Sequence, residues 1–74
     1  MAAFLLEEAG VRQSMELPLT HEQIAGHLGT AREVVSRMLK YFESEGAVEL
    51  FRGGLRLTDA GRLEDWAQGR KQPV

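Results

Sequence analysis

Arg32, Glu33, Ser36 and Arg37 lie close together in the middle of this sequence and are the side chains best suited to a specific chemistry. An arginine guanidinium pairs bidentately with O6 and N7 of guanine, a glutamate accepts from N4 of cytosine, and a serine hydroxyl serves either role. Their surroundings read as a helix from about Ala31 to about Glu45, stopped by Gly46. At about 100° per residue, Arg32, Ser36, Lys40, Glu33 and Arg37 occupy an arc from about 0° to about 140°. Val34, Met38, Phe42, Val35 and Leu39 occupy the arc from about 200° to about 340°. One side of the helix is therefore set to face a core, and the other to face a ligand or solvent. Glu33 and Arg37, at i and i+4, also suit a surface ion pair worth a few tenths of a kcal/mol. Taken alone, this helix leaves both readings open.

The elements that must position these residues are written on either side. Thr20 with Gln23 three residues on gives the T-x-x-Q form of a capping box, opening a helix Thr20–Leu28. Ile24, Ala25 and Leu28 share one face of it, with Leu28 expected to close the core and the small Ala25 to let a second helix cross closely. Gly29 supplies the positive φ of a tight turn, and Val35 and Met38 bring the next helix back onto the first. Downstream, Ala47–Phe51 and Leu55–Thr58 read as strands joined by the turn Arg52-Gly53-Gly54. Thr58 or Asp59 caps a last helix over 60–67, with Leu63, Trp66 and Ala67 on one face and Trp66 as core filler. Upstream, residues 2–13 read as a helix carrying Phe4, Leu5, Ala9 and Val11, and Leu17-Pro18-Leu19 is held extended by its proline. The order is helix, short strand, helix, turn, helix, hairpin, helix. It predicts a mainly α chain with a small β-hairpin (α+β), a winged helix-turn-helix of three-helix core, wing and C-terminal helix, spanning 1–68 with a flexible tail at 69–74.

Size and composition narrow the function classes. Seventy-four residues make one domain, near the lower limit for a self-sufficient core. With no cysteine, the chain has no disulfide framework and no thiolate metal site. No apolar run approaches the roughly 18 residues that span a bilayer, and the first residues turn acidic at Glu7 and Glu8 without a basic start, unlike a signal peptide. A cytoplasmic setting without membrane contact is expected. The net charge of −2 runs against a nucleic-acid partner on average, but not locally. Residues 1–29 set Arg12 against Glu7, Glu8, Glu16 and Glu22, whereas residues 30–56 set Arg32, Arg37, Lys40, Arg52 and Arg56 against Glu33, Glu43, Glu45 and Glu49. Local potential, not the mean, decides binding to a polyanion. No Ser/His/Asp or Cys/His set, and no phosphate loop, suggests an enzyme; Gly53-Gly54 reads as a turn. His21 and His27, six apart and without a third ligand, are a poor metal pair, and His21 is either an ordinary surface histidine or a phosphate neighbour.

The run from Leu19 to Lys40, LTHEQIAGHLGTAREVVSRMLK, continued by Phe42–Leu50, resembles the DNA-binding domain of the cyclic-AMP receptor protein / fumarate–nitrate regulator (CRP/FNR) family over residues 4–67. The resemblance implies that Glu33 and Arg37 contact base pairs, with Arg32 and Ser36 doing so in particular branches, on half-sites of the TGTGA or TTGAT type. It implies a homodimer on palindromic double-stranded DNA in the full-length protein, with the dimer helix and an effector-binding sensory domain lying ahead of this segment, so that no cofactor is held within it. A contact of the Gly10–Pro18 loop with RNA polymerase is a feature of some activators in the family. Members usually carry Ser or Thr where Ala31 stands and Thr where Val34 stands; here either Thr30 caps the second helix or a phosphate contact is lost. Phosphates are assigned to Thr20 with amides at a helix N-terminus, where the dipole favours anions, and to Thr30, Lys40 and Arg52. Arg56 and Arg62 are read as solubilising charge. Two rivals remain: a winged-helix regulator of the MarR type, which Gly53–Arg62 also resembles, and a winged helix used only for protein contact.

Overall fold

The computed structural model describes residues 1–69. Its elements are α1 (Ala2–Arg12), β1 (Glu16–Leu17), α2 (His21–Leu28), α3 (Arg32–Ser44), β2 (Val48–Phe51), β3 (Gly54–Leu57) and α4 (Ala60–Ala67). The expected winged helix-turn-helix is present, and each helix lies within a residue or so of its expected bounds. Apart from Gly69, the expected tail lies outside the described residues.

Local chemistry explains the boundaries. α1 ends where Gln13 takes the left-handed conformation at φ 53, one residue before the expected end. Thr20 caps α2 through a complete capping box: its hydroxyl accepts from Gln23 N at 3.1 Å, and Gln23 Oε1 accepts from Thr20 N at 2.9 Å. Gly29 closes α2 at φ 68, a conformation that costs a residue with a Cβ. Of the two candidates for capping α4, Asp59 does so, accepting from Arg62 N at 3.0 Å.

The sheet is larger than a hairpin. β3 runs at its centre, antiparallel to β2 on one side and to the two-residue β1 on the other. Pairing Glu16 with Arg56 and Leu17 with Leu55 ties the start of the chain to the wing. This changes the role of Gly54. The turn between the strands is Arg52-Gly53, with Gly53 at φ 87, while Gly54 is already in β3 and buried. A Cβ on Gly54 would lie 2.5 Å from the Leu17 carbonyl oxygen and 3.2 Å from Pro18 Cα, so glycine is demanded there by the close approach of β1.

Leu5, Leu17, Ile24, Val35, Leu39, Phe42, Leu55, Leu63 and Trp66 fill the core. α1 packs against α4, α2 against α3, and α3 against β2. Phe42 and Trp66 stack with ring centroids 4.6 Å apart, fixing α4 to α3. Several apolar residues of the helices lie outside this core. On α1 the buried row is Ala2, Leu5 and Ala9, which leaves Val11 on the opposite side and 76% exposed. Leu28, expected to close the core, is exposed because it ends α2 beyond the buried Ile24–Ala25 pair. Ala67, at the end of α4, is exposed likewise. Val34 is exposed at the edge of the apolar arc of α3, whose buried centre is Val35, Leu39 and Phe42.

Candidate nucleic-acid interface

α3 is the element that presents the candidate residues, and its register follows from its core contacts. With Val35, Leu39 and Phe42 turned fully inward, geometry directs Glu33, Arg37 and Lys40 outward and leaves Arg32 and Ser36 on the flank nearer α2. Arg32, Glu33, Ser36, Arg37 and Lys40 line one open depression along the outer side of α3. A second depression adjoins it, lined by Thr20, His21 and Glu22 at the start of α2, by Arg32, and by Phe51, Gly53 and Gly54 of the wing. Arg32 belongs to both. The fold thus gathers the candidate base readers, Lys40 and Thr20 onto one continuous side of the molecule. Arg52 is exposed in the hairpin turn next to Gly53. Thr30 lines neither depression; it is exposed in the turn between α2 and α3, where its amide donates to the Ala25 carbonyl at 3.1 Å.

Thr30 does not cap α3. Ala31, not Thr30, occupies the N-cap position in extended conformation, and no side chain caps the helix. The turn is already fixed by the Gly29 and Thr30 amides, which both donate to Ala25 O, and the chain reaches helical angles at Arg32, two residues after Thr30. The first amides of α3 therefore lack a side-chain partner, a setting that favours an anion.

Charge pairing divides the basic residues into two groups. Arg12 pairs with Glu8 at 3.3 Å; Arg56 with Glu16 at 3.1 Å and Glu49 at 3.0 Å; Arg62 with Glu45 at 2.9 Å and, more loosely, Asp59 at 3.8 Å. Among the described residues, Arg32, Glu33, Arg37, Lys40 and Arg52 have no ion-pair or hydrogen-bond partner for their side chains. The i, i+4 pair between Glu33 and Arg37 is thus not formed, and both side chains stand open to an incoming ligand.

One residue of the site was not assigned from sequence. His21 is half-buried, and its Nδ1 lies 2.8 Å from Ser36 Oγ. Ser36 is thereby half-buried and held from the side by α2. His27 packs its ring against Phe4 at 5.4 Å. Among the described residues, no group of His, Asp and Glu side chains is gathered that could hold a metal ion, and no helix is long and apolar enough to cross a membrane.

An open, positively charged helix face beside a hairpin wing, on a turn made by Ala25 and Gly29, defines a winged helix-turn-helix of the nucleic-acid-reading class. Comparison with known proteins makes the assignment narrower. Residues 1–66 match the family model of the Crp-like helix-turn-helix domain, and the chain belongs to that family. It is 37% identical over 60 residues to the nitrogen fixation regulation protein FixK of Bradyrhizobium diazoefficiens, covering 81% of this chain and 25% of FixK. Among solved structures, a Crp/Fnr-family regulator from Eubacterium rectale is similar with a TM-score of 0.88 and 51% identity, over 90% of this chain and 31% of that one. The catabolite activator protein of Thermus thermophilus is similar with a TM-score of 0.78 and 34% identity, over 92% of this chain and 32% of that one. The chain therefore spans between a quarter and a third of the length of these relatives. It is a DNA-binding domain of the CRP/FNR regulator type, and the MarR-like and protein-contact alternatives are not favoured.

Proposed function

We propose that this chain reads one half of a palindromic DNA site by laying the outer side of α3 in the major groove. Arg32, Glu33, Ser36 and Arg37 contact base edges, arginine on guanine and Glu33 on cytosine N4. Thr20, Thr30, Lys40 and Arg52 meet the phosphates on either side, and the uncapped amides at the start of α3 add to them. Thr20 would exchange the 3.3 Å contact of its hydroxyl with Gln23 Oε1 for a phosphate oxygen. The observation that carries this reading is the division of charges. The charged side chains on the proposed reading face, Arg32, Glu33, Arg37, Lys40 and Arg52, are unpaired among the described residues, while Arg12, Arg56 and Arg62 are each tied to a carboxylate.

The rest of the activity follows as part of the same proposal. The full-length protein acts in the cytoplasm as a homodimer, each copy placing one α3 in successive major grooves. Regulation by an effector would belong to a sensory domain outside this segment, and an activator would meet RNA polymerase through the Gly10–Pro18 loop. The segment itself performs no catalysis. Fluorescence anisotropy on duplexes carrying TGTGA or TTGAT palindromes, against a scrambled duplex, tests the reading. Preference for a palindrome with a steep loss of affinity on adding salt is expected. Equal affinity for palindrome and scramble at moderate salt would overturn it, and no duplex binding at any salt would point to a protein partner.

A further inference from the structure

Within the proposed reading face, Ser36 differs from its neighbours in having a side-chain partner, His21 Nδ1 at 2.8 Å. We propose that His21 is a positioning residue that decides which bases Ser36 recognises, by fixing where the serine hydroxyl proton points. The proposal rests on the DNA-reading function above and adds a residue to it.

A serine hydroxyl has one proton to donate and lone pairs that accept, while an imidazole nitrogen is either a donor or an acceptor according to whether it carries hydrogen. When Nδ1 is bare, the serine proton is directed to the ring, and Ser36 offers only lone pairs to the groove. It then suits base donors, N4 of cytosine or N6 of adenine. When Nδ1 carries hydrogen, it donates to Oγ, and the serine proton is free for O4 of thymine or O6 and N7 of guanine. A serine without such a partner rotates between both roles, whereas a tied serine serves one class of base at a time. The placement suits this division. Ser36 lines the depression along α3 with Arg32, Glu33, Arg37 and Lys40, while His21 lines the adjoining one. The charged groups around that second depression are Glu22 on α2 and Arg32 on α3, and the wing contributes only Phe51, Gly53 and Gly54.

Two measurements on the full chain test the proposal. Long-range proton–nitrogen NMR of the imidazoles, with His27 as internal control, should show His21 favouring one tautomer and losing that preference in Ser36→Ala; unchanged His21 nitrogen shifts would overturn the link. Anisotropy on a palindrome in which each half-site base is replaced in turn gives the second readout. His21→Leu should change base preference about 5-fold, the worth of one hydrogen bond, at the position that Ser36→Ala also alters and nowhere else. In the double variant His21→Leu should add nothing, and His21→Asn, which returns a polar atom near Nδ1, should restore a single-class preference. Thermal unfolding close to that of the unsubstituted chain shows that each variant folds. A His21→Leu loss that is equal on palindrome and scramble would make His21 a phosphate neighbour and overturn the proposal. An unsubstituted chain that binds both duplexes alike would instead overturn DNA reading itself, and with it any choice of base by Ser36.

Discussion

The outer side of α3 and the flank formed by the sheet and α4 use the same residue type in opposite ways. On the flank, Arg56 bridges Glu16 and Glu49, and Arg62 bridges Glu45 and Asp59. On α3, Arg32 and Arg37 have no carboxylate partner among the described residues, although Glu33 stands one turn before Arg37. The difference resolves the conflict between a net charge of −2 and a polyanionic partner. Glu8, Glu16, Glu45, Glu49 and Asp59 are tied to arginines, and on the outer side of α3 Arg32, Arg37 and Lys40 outnumber Glu33 among the described residues. Composition measures the average of the two regions; binding depends on one of them.

The sharpest way to break the contrast is to remove what joins the regions. Phe42→Ala takes away the stack on Trp66 and is expected to cost about 3–5 kcal/mol, a large share of the roughly 5–15 kcal/mol that a domain holds. Thermal unfolding followed by circular dichroism checks it, and a loss under about 1 kcal/mol would mean that the stack is not the joint between α3 and α4. Next in size is Arg37→Ala, expected to weaken palindrome binding by about 1–3 kcal/mol, to relax specificity at one base pair and to leave scramble binding nearly unchanged. Lys40→Ala should be milder and of a different kind. It is expected to weaken every duplex alike and to lower the slope of log affinity against log salt by about 1. Equal, sequence-independent losses for both variants would make Arg37 a phosphate contact.

How far the sequence alone reached follows from the range of the interactions involved. The helix-turn-helix was legible because its signals are local: the capping pair Thr20 and Gln23, the left-handed Gly29, and the apolar period of α3. The outward strip followed from the same period. What was not legible depended on contacts between distant segments. The short extended segment at Leu17-Pro18-Leu19 was legible from its proline, but a strand as short as Glu16–Leu17 has no periodicity, and only its pairing with β3 sets its bounds and its place in the sheet. That pairing in turn gives Gly54 its reason, since the Leu17 carbonyl lies where a Cβ would be. The His21–Ser36 contact spans 15 positions and exists because α2 and α3 cross, which fixes the first turn of one against the second turn of the other. Exposure of Val34 and Leu28 had a related cause: helical period marks which residues share a side, but the width of the neighbouring element sets how much of that side is covered.

Arg56→Ala is the smallest expected effect and the fairest test of the contrast itself. Arg56 lies opposite Glu16 in one strand pair and opposite Glu49 in the other, so its guanidinium sits between carboxylates on both edges of the sheet. About half of the side chain is exposed, where ion pairs contribute about 0–1 kcal/mol and weaken with salt. The variant should therefore lose no more than about 1 kcal/mol in chemical denaturation. Part of that loss should come from the Glu16 and Glu49 carboxylates facing each other across β3, and should shrink in high salt. Duplex affinity should stay unchanged, because the charge removed is one already neutralised within the fold. If Arg56→Ala instead lowers affinity for palindrome and scramble alike, and lowers the salt slope as Lys40→Ala does, the bridge opens on binding. Pairing in the free chain would then fail to separate the arginines that meet DNA from those that hold the sheet.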